Sequence, residues 1–313
     1  GGRVMKEVCI EVKNLNIYLE EDKVINEISF RVNNGEIFGL LGANGEGKTT
    51  ILETMIGLHS RDRGKINILG LDPEKSPEKL VEKIGVQFQS PVLFDKLTVE
   101  EMVSLFADFY QNPFSIEESI NLVGLSDRRS QYIETMSEEE KHRLAVALAL
   151  ISNGNIIFLD EPTSGLELQS RKNIWTLIKK IKRMGKTIFL ITSNMNEAEK
   201  LCDKIFILDQ GQKITEGIPE ALIEEYFTED TIEFEDPFFM EEEIGSLVSL
   251  EGVTAQKINE NKNIILYTME AVKTITDLLT FSEKVGKPIK NLKLRKPTLQ
   301  DLYYKLTRKE NCK

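Results

Sequence analysis

One short stretch of this sequence has the residue types and the spacing of a loop that holds phosphate groups. It reads Gly42-Ala43-Asn44-Gly45-Glu46-Gly47-Lys48-Thr49, followed by Thr50, and fits the pattern G-x-x-x-x-G-K-[ST]. The apolar run Ile37–Leu41 before it predicts a buried strand, and residues 49–56 after it are compatible with a helix. This strand–loop–helix arrangement predicts a site for a nucleoside triphosphate.

Each part of the predicted loop has a chemical task. Glycines let the backbone curl so that its N–H groups point at phosphate oxygens, and the helix start adds free N–H groups and a positive dipole end. Lys48 can reach the β- and γ-phosphates, and the Thr49 hydroxyl can ligate Mg²⁺. We therefore assign nucleotide binding to Gly42, Asn44, Gly45, Gly47, Lys48, Thr49 and Thr50.

A second informative stretch places two acids at the end of an apolar run. Residues 156–159 are all apolar and predict a central strand, which Asp160 and Glu161 follow directly. Ligands of α/β sheets bind at the carboxyl ends of strands. There Asp160 suits Mg²⁺ coordination, and Glu161 can orient or deprotonate an attacking water. Paired with the phosphate loop, this run predicts a site that hydrolyses a nucleotide.

Bulk properties narrow the class of protein. The 313 residues allow two domains, and the net charge of −11 argues against nucleic acid as a partner, which would require clustered Lys and Arg. Cys9, Cys202 and Cys312 are scattered, which indicates a reducing compartment without a disulfide framework. No run approaches the ~20 apolar residues that span a bilayer. We expect a cytosolic chain whose membrane role, if it has one, comes through a partner.

Alternating short apolar strands and helices up to about residue 220 predict a mostly parallel α/β sheet. We expect one nucleotide-binding domain over residues 1–220, with a helical subdomain at about 90–150, and a small α+β regulatory or dimerisation domain over 221–313. Ten acids without a Lys or Arg fall within residues 224–243, which predicts a solvated linker. Residues 253–258 and 264–268 predict a hairpin in the smaller domain.

Over residues 5–220 the chain resembles the ATP-binding subunits of ABC transporters, because several motifs occur in the family's order. The resemblance implies the P-loop ABC-cassette fold, a mixed sheet with a helical subdomain. Tyr18 stands where the family has the aromatic that stacks on adenine, which implies ATP. Gln89 matches the glutamine that senses Mg²⁺ and the transmembrane partner. Residues 297–307 resemble the tail of subunits from drug- and peptide-exporting systems.

The largest departure from the family is its glycine-rich signature, which here reads Met136-Ser137-Glu138-Glu139-Glu140. In the family, glycine N–H groups of this segment contact the γ-phosphate bound to the opposite subunit. Ser137 followed by Glu140 instead predicts a capping box that satisfies the helix start internally. A helix end offers an anion roughly 0.3–2 kcal/mol, whereas a carboxylate ~4 Å away repels it by roughly 1–4 kcal/mol. We expect repulsion to exceed attraction unless the side chains turn away.

Two further positions differ from the family pattern. Ser193 stands where members usually have a histidine that contacts the γ-phosphate, and His59 and His142 do not fall at this position. Loss of one preorganised donor can cost about 10²–10³ in rate. Glu167 replaces the usual aspartate of the loop after the second acidic site.

These departures lead to one hypothesis and several alternatives. We expect an ATP-binding subunit that dimerises, as a homodimer or with a second ABC subunit, and couples ATP to export by a transmembrane permease at the cytoplasmic side of the membrane. Its ATPase activity is expected to be weak or asymmetric. The main alternative is a regulatory module that uses ATP only to close the dimer. The sequence has no Asn-Lys-x-Asp motif, which a GTPase would use to recognise guanine. ABC proteins that act on ribosomes or DNA have a different layout from this chain, in which Lys48 and Asp160 fall in one compact domain.

Overall fold

A computed structural model describes residues 7–19, 22–235, 238–259 and 262–307. The chain divides into two compact units, Gly1–Pro219 and Glu220–Lys313. In chain order, the strands and helices of the first unit are β1 (Val8–Leu19), β2 (Asp22–Asn33), β3 (Ile37–Leu41), α1 (Lys48–Met55), β4 (Arg63–Ile68), α2 (Pro77–Val81), β5 (Ile84–Gln87), α3 (Val99–Ala107), α4 (Ile116–Leu122), α5 (Glu138–Ile151), β6 (Ile156–Asp160), α6 (Leu168–Arg183), β7 (Thr187–Thr192), α7 (Met195–Leu201), β8 (Lys204–Asp209) and β9 (Gln212–Gly217).

The main sheet of the first unit has six strands in the order β5-β6-β7-β3-β8-β9. The first five are parallel and β9 is an antiparallel edge strand. Every residue of β3, β6 and β7 is buried. Strands covered on both faces are continuous apolar runs, which is why the sequence predicts them well. The expected mixed α/β sheet is confirmed.

A second, antiparallel sheet with the order β2-β1-β4 packs against the first. Phe30 of β2 lies among three aromatic rings of the main sheet. Its ring centroid is 5.4 Å from those of Phe38 and Phe206 and 5.8 Å from that of Phe189. Such pairs add roughly 0.5–1.5 kcal/mol each beyond their buried area. This aromatic cluster fixes β1 and β2 relative to the loop that follows β3.

The segment predicted as a helical subdomain contains α3, α4 and α5. Capping boxes begin two of these helices, formed by Thr98 with Glu101 at α3 and by Ser137 with Glu140 at α5. The capping box predicted from Ser137 and Glu140 is therefore confirmed. Residues 144–151 of α5 are all buried, so this helix forms the inner part of the segment.

The second unit follows with α8 (Pro219–Tyr226), β10 (Asp230–Glu235), α9 (Glu241–Ser246), β11 (Val253–Ile258), β12 (Asn263–Thr268), α10 (Ala271–Val285), β13 (Lys290–Arg295) and α11 (Leu299–Thr307). Its sheet is antiparallel with the order β11-β12-β10-β13. The predicted hairpin of β11 and β12 is confirmed.

The acidic stretch 224–243 is not a solvated linker, and that prediction is wrong. It contains β10, a central strand whose Ile232 and Phe234 side chains are fully buried. The acids that alternate with them are paired across the sheet: Glu233 accepts hydrogen bonds from Asn263 at 2.9 Å and from Arg295 at 2.9 Å. An arginine and an amide from distant segments therefore bind this carboxylate, which the acidic sequence around it does not indicate.

Some predicted boundaries also shift. The sequence of residues 84–89 is typical of a strand, but β5 ends at Gln87, so Gln89 lies in the bend after it. Glu20 and Glu21, where the sequence predicts a turn, and the third cysteine, Cys312, fall outside the described residues. Among the helices that the structure describes, none combines the length and the apolar character needed to cross a membrane.

Candidate nucleotide site

The predicted site residues lie at the carboxyl ends of three neighbouring parallel strands. β3 leads into the loop, β6 ends at Asp160 and β7 ends at Thr192. Because β7 lies between β6 and β3 in the sheet, the three strand ends share one edge. This is the edge at which α/β sheets bind ligands.

The phosphate loop owes its curl to two glycines. Gly45 and Gly47 both have a φ of 88°, a left-handed conformation that favours glycine. Gly47 also packs tightly, since a Cβ atom on it would lie 2.8 Å from Cδ1 of Ile25. Asn44, next to Gly45, is exposed. Thr50 lies in α1, where its carbonyl oxygen accepts a hydrogen bond from the Thr54 hydroxyl at 2.8 Å. The loop conformation therefore depends on glycine at these two positions.

Lys48 begins α1 and is buried, with an exposed fraction of 6%. Its Nζ donates to the carbonyl oxygens of Gly42 and Ala43 at 2.8 Å each, and lies 3.9 Å from Oε1 of Glu161. Burial lowers the pKa of Lys48, while the negative charges of Glu161 and Asp160 oppose that shift. The ammonium group is thus fixed between the loop and the acidic end of β6.

Thr49 and Asp160 are the two predicted Mg²⁺ ligands that the structure brings into contact. The Thr49 hydroxyl donates to Oδ2 of Asp160 at 3.1 Å. Within the described part of the chain, Oδ1 of Asp160 is buried without a hydrogen-bond partner. Burial raises the pKa of Asp160 to about 6, against the opposing effect of the Thr49 hydrogen bond. An unpartnered carboxylate oxygen beside a hydroxyl is a donor set that suits a hard cation, so these residues fit Mg²⁺.

Glu161 adopts a strained backbone conformation directly after Asp160. Its φ of 48° is left-handed, which costs a non-glycine residue roughly 1–3 kcal/mol. Two hydrogen bonds to the neighbouring segment hold it: its N–H donates to the Ile191 carbonyl at 2.9 Å, and its Oε1 accepts the Ser193 N–H at 2.7 Å. Ser193 therefore contacts the predicted base through its backbone.

Gln89 is exposed and lies in the bend after β5, which is the strand that neighbours β6. The glutamine that contacts the β6 end in this structure is Gln87, whose Nε2 donates to the Asp160 carbonyl at 3.2 Å. Its Oε1 is buried without a hydrogen-bond partner among the described residues. Gln87 is not among the predicted site residues, although a buried amide at the end of the apolar strand Ile84–Gln87 was an available signal.

Tyr18 lies near the end of β1, paired with Lys23 of β2. Its N–H donates to Oδ2 of Asp62 at 2.7 Å, and Nζ of Lys23 lies 5.7 Å from its ring centroid. The residue is 39% exposed. Val24, the residue after Lys23 on β2, packs against Gly47 of the phosphate loop. Because Tyr18 pairs with Lys23, it also lies close to this loop.

Comparisons with known proteins agree with this geometry. The family model described as ABC transporter matches residues 25–164. The Nod factor export ATP-binding protein I of Sinorhizobium fredii is 32% identical over 99% of this chain and 89% of its own length. The protein of the same name from a Rhizobium species is 34% identical over 98% of this chain and 99% of its own. This chain belongs to the ABC transporter family, as an ATP-binding subunit of exporter type.

Solved ABC structures share the cassette fold. A protein described as the ATP-binding subunit of an ABC transporter has a TM-score of 0.62 and 28% identity, covering 70% of this chain and 93% of its own. The cbiO1 protein of Clostridium perfringens, part of an ABC transporter complex, has a TM-score of 0.64 and 26% identity, covering 71% of this chain and 92% of its own.

At the position of the ABC signature, two of the three glutamates are used inside the chain. In the capping box, Ser137 Oγ accepts the Glu140 N–H at 3.3 Å, and Glu140 Oε2 accepts the Ser137 N–H at 2.9 Å. Arg128 also donates to Glu140 at 2.9 Å. Glu138 differs, because its side chain is 76% exposed and its one described contact is with Lys141 at 3.2 Å.

Glu139 turns away from the helix end and contacts α6. It accepts hydrogen bonds from Ser170 at 2.5 Å and Asn173 at 3.0 Å, and from Arg143 of its own helix at 2.5 Å. Burial raises the pKa of Glu139, but these donors outweigh it and leave the pKa below its usual range. Of the signature carboxylates, Glu138 is therefore the one that faces solvent.

Proposed function

We propose that this chain hydrolyses Mg·ATP as one half of a dimer and couples the reaction to export by a transmembrane permease. The observation that carries the proposal is the convergence of Lys48, Thr49, Asp160 and Glu161 at one edge of the sheet. The names of the relatives, which are export ATP-binding proteins, support an exporter. The transported substance is determined by the permease.

The binding roles follow from the chemistry of the side chains. The loop N–H groups and Lys48 bind the phosphates, and Tyr18 stacks on adenine. Thr49, Asp160 and Gln89 are the residues that would hold Mg²⁺ or its waters. When bound, Mg²⁺ supplies positive charge against the developing negative charge of the phosphates.

Glu161 is the proposed general base. The Ser193 N–H contact at 2.7 Å orients its carboxylate, and Nζ of Lys48 lies 3.9 Å from the same oxygen, Oε1. The carboxylate can thus accept a proton from an attacking water while its direction stays fixed. Ser193 has no imidazole to offer the γ-phosphate, so we assign it a contribution to the site through its backbone and hydroxyl only.

The contribution of this chain to its neighbour's site is proposed to be weak. In the capping box, Ser137 and Glu140 satisfy two of the backbone N–H groups of this helix start, and the exposed Glu138 carboxylate adds a negative charge next to it. In a homodimer both composite sites would contain this segment. With a second ABC subunit, one site would receive a regular signature from the partner. We favour the asymmetric dimer on this ground.

Contact with the permease is proposed at the segment that runs from the end of β5 to the residues just after α3. Four large apolar side chains are exposed there: Val92, Phe94, Leu105 and Phe109. Exposed apolar groups clustered in one segment are typical of protein contact sites. Such a contact would place the chain at the cytoplasmic side of the membrane.

Purified chain, assayed with and without its permease, tests the proposal. We expect slow ATP turnover by the chain alone, because both sites of its homodimer contain this signature. Turnover should be faster in the assembled transporter, where a second ABC subunit supplies a regular signature to one site. Rapid turnover by the chain alone would contradict the weak-signature part of the proposal. Absence of nucleotide binding would contradict all of it.

Glu138→Gly is expected to raise the ATPase rate of the homodimer about fivefold. Removing one carboxylate ~4 Å from a γ-phosphate relieves roughly 1 kcal/mol at the high dielectric of an exposed position. Steady-state phosphate release measures the effect. Glu138→Gln separates charge from backbone freedom, and Glu117→Gln, an exposed acid in the first turn of α4, is the matched control. An unchanged rate in both Glu138 variants would show that this carboxylate does not limit turnover.

A second candidate function is a module that binds ATP to close the dimer without hydrolysing it. Ser193 in place of histidine and the exposed Glu138 are the observations that favour it. Substitution of Glu161 distinguishes the two functions, because a module that does not hydrolyse ATP has no base to lose.

A further inference from the structure

Glu197, in the short helix after β7, is a fully buried acid with an exposed fraction of 0%. Its Oε1 accepts hydrogen bonds from Oγ1 of Thr163 at 2.8 Å and from Nε1 of Trp175 at 2.8 Å. Thr163 lies in the segment after β6, and Trp175 lies in α6. A single carboxyl group thus joins three segments.

Two of these segments hold the proposed base. Glu161 precedes Thr163 by two residues and accepts the Ser193 N–H at 2.7 Å. Ser193 is followed by Asn194, whose Oδ1 accepts the Glu197 N–H at 3.1 Å. The ends of β6 and β7 are therefore linked twice, once at the sheet edge through Glu161 and once behind it through Glu197.

We propose that Glu197 is a positioning residue that locks the segments after β6 and β7 together and so sets where the Glu161 carboxylate stands. The inference rests on the proposed ATP hydrolysis, because its effect on rate exists only if Glu161 is the base. The lock itself is a property of the chain and can be tested without turnover.

The environment of Glu197 disfavours a negative charge on its carboxyl group. Burial raises the pKa of its carboxyl against the opposing effect of its hydrogen bonds, and the negative charge of Glu161 adds to the rise. Its Oε2 makes no hydrogen bond within the part of the chain that the structure describes. Glutamine has the same shape as glutamate and keeps the acceptor oxygen for Thr163 and Trp175.

Kinetics of three variants test the positioning role. Glu197→Ala is expected to lower kcat about 10²-fold, since a displacement of about 1 Å at a reacting group has this effect. KM and the affinity for a fluorescent ATP analogue should stay within about twofold, because no described contact joins Glu197 to the loop residues Lys48 and Thr49. Glu197→Gln should restore kcat. Asn196→Ala, an exposed position of the same helix, is the control.

The chain contains a built-in reporter, because Trp175 is its only tryptophan. Its Nε1 donates to Glu197, which is joined through Thr163 to the segment of Glu161. We therefore expect Mg·ATP to change the emission of Trp175 in the unmodified chain and in Glu197→Gln, and not in Glu197→Ala. Thr163→Val removes one of the two donors without changing the shape of the side chain, and should also lose the response. It provides the test if the alanine variant does not fold.

The outcomes separate the two proposals. If the alanine and valine variants keep both kcat and the Trp175 response, Glu197 is not a positioning residue. The same conclusion follows if the unmodified chain binds Mg·ATP without a change in emission. If the chain binds ATP, responds through Trp175 and yet never hydrolyses the nucleotide, the lock stands and the proposed hydrolysis fails.

Discussion

Glu161→Gln is expected to lower the ATPase rate of the chain about 10²- to 10⁴-fold, the usual contribution of a general base. The amide cannot take a proton from water. It keeps the acceptor oxygen that binds the Ser193 N–H at 2.7 Å, so the segment should retain its structure. Mg·ATP affinity should be unchanged or slightly higher, because a negative charge near the phosphates is removed.

Single-turnover phosphate release and equilibrium binding of a fluorescent ATP analogue measure the two quantities separately. Glu117→Gln on α4 is the control for a carboxylate-to-amide change at an exposed position of the same unit. Equal rates for Glu161→Gln and the unmodified chain would exclude Glu161 as the base. Combined with unimpaired export, that result would support the module that closes without hydrolysis.

Asp301→Asn is expected to destabilise the second unit by about 3–5 kcal/mol, the usual cost of removing one partner from a buried ion pair. The Asp301 carboxylate is 2% exposed. It accepts hydrogen bonds from Arg295 at 2.6 Å, Lys257 at 2.7 Å and the Tyr267 hydroxyl at 2.9 Å. It also caps α11 by accepting the Thr298 N–H at 2.9 Å. An asparagine would leave two cations without their shared anion.

Hydrogen exchange of the full-length chain, followed by mass spectrometry, locates this effect. Peptides from β10 and β12 should exchange faster in Asp301→Asn, while peptides from the first unit should not change. Asp230→Asn, an exposed aspartate of β10, is the control. Matching exchange rates in the variant and the unmodified chain would mean that the carboxylate does not stabilise the unit.

The same group predicts how the stability of the second unit depends on pH. Burial opposes ionisation of Asp301, but Arg295 and Lys257 outweigh it and hold its pKa well below the usual range. A depressed folded-state pKa gives stability that is present above the unfolded value, about 3.9, and is lost as the pH falls through the folded value. Mildly acidic conditions should therefore leave this contribution intact.

Local sequence signals were sufficient to predict which residues of the candidate site lie together. The loop motif needs only its own glycines, Lys48 and Thr49, and the apolar runs around it predict buried parallel strands. The meeting of Asp160 with Thr49 at 3.1 Å follows from the rule that ligands bind at strand ends. These features depend on neighbours in sequence or on general topology, which is why they could be predicted.

Other features depend on partners that are far apart in the chain. β10 was missed because its acids hide the alternation of Ile232 and Phe234, and the groups that pair with those acids, such as Arg295, come much later. Glu139 lies in the first turn of α5, as expected, but the contact of its carboxylate with Ser170 on another helix could not be predicted. No local pattern indicates such contacts, because they form only when the tertiary structure brings the segments together.

The position of β10 has a consequence for the synthesis of the protein. This strand lies between β12 and β13, and the second of these is among the last elements of the chain. While the ribosome is still making Lys290–Arg295, β10 has one open edge, and open edges favour association between chains. The first unit precedes it and can fold earlier, as N-terminal domains do during translation. Synthesis of β13 thus completes the smaller sheet, and until then a folded first unit is followed by a strand with an open, aggregation-prone edge.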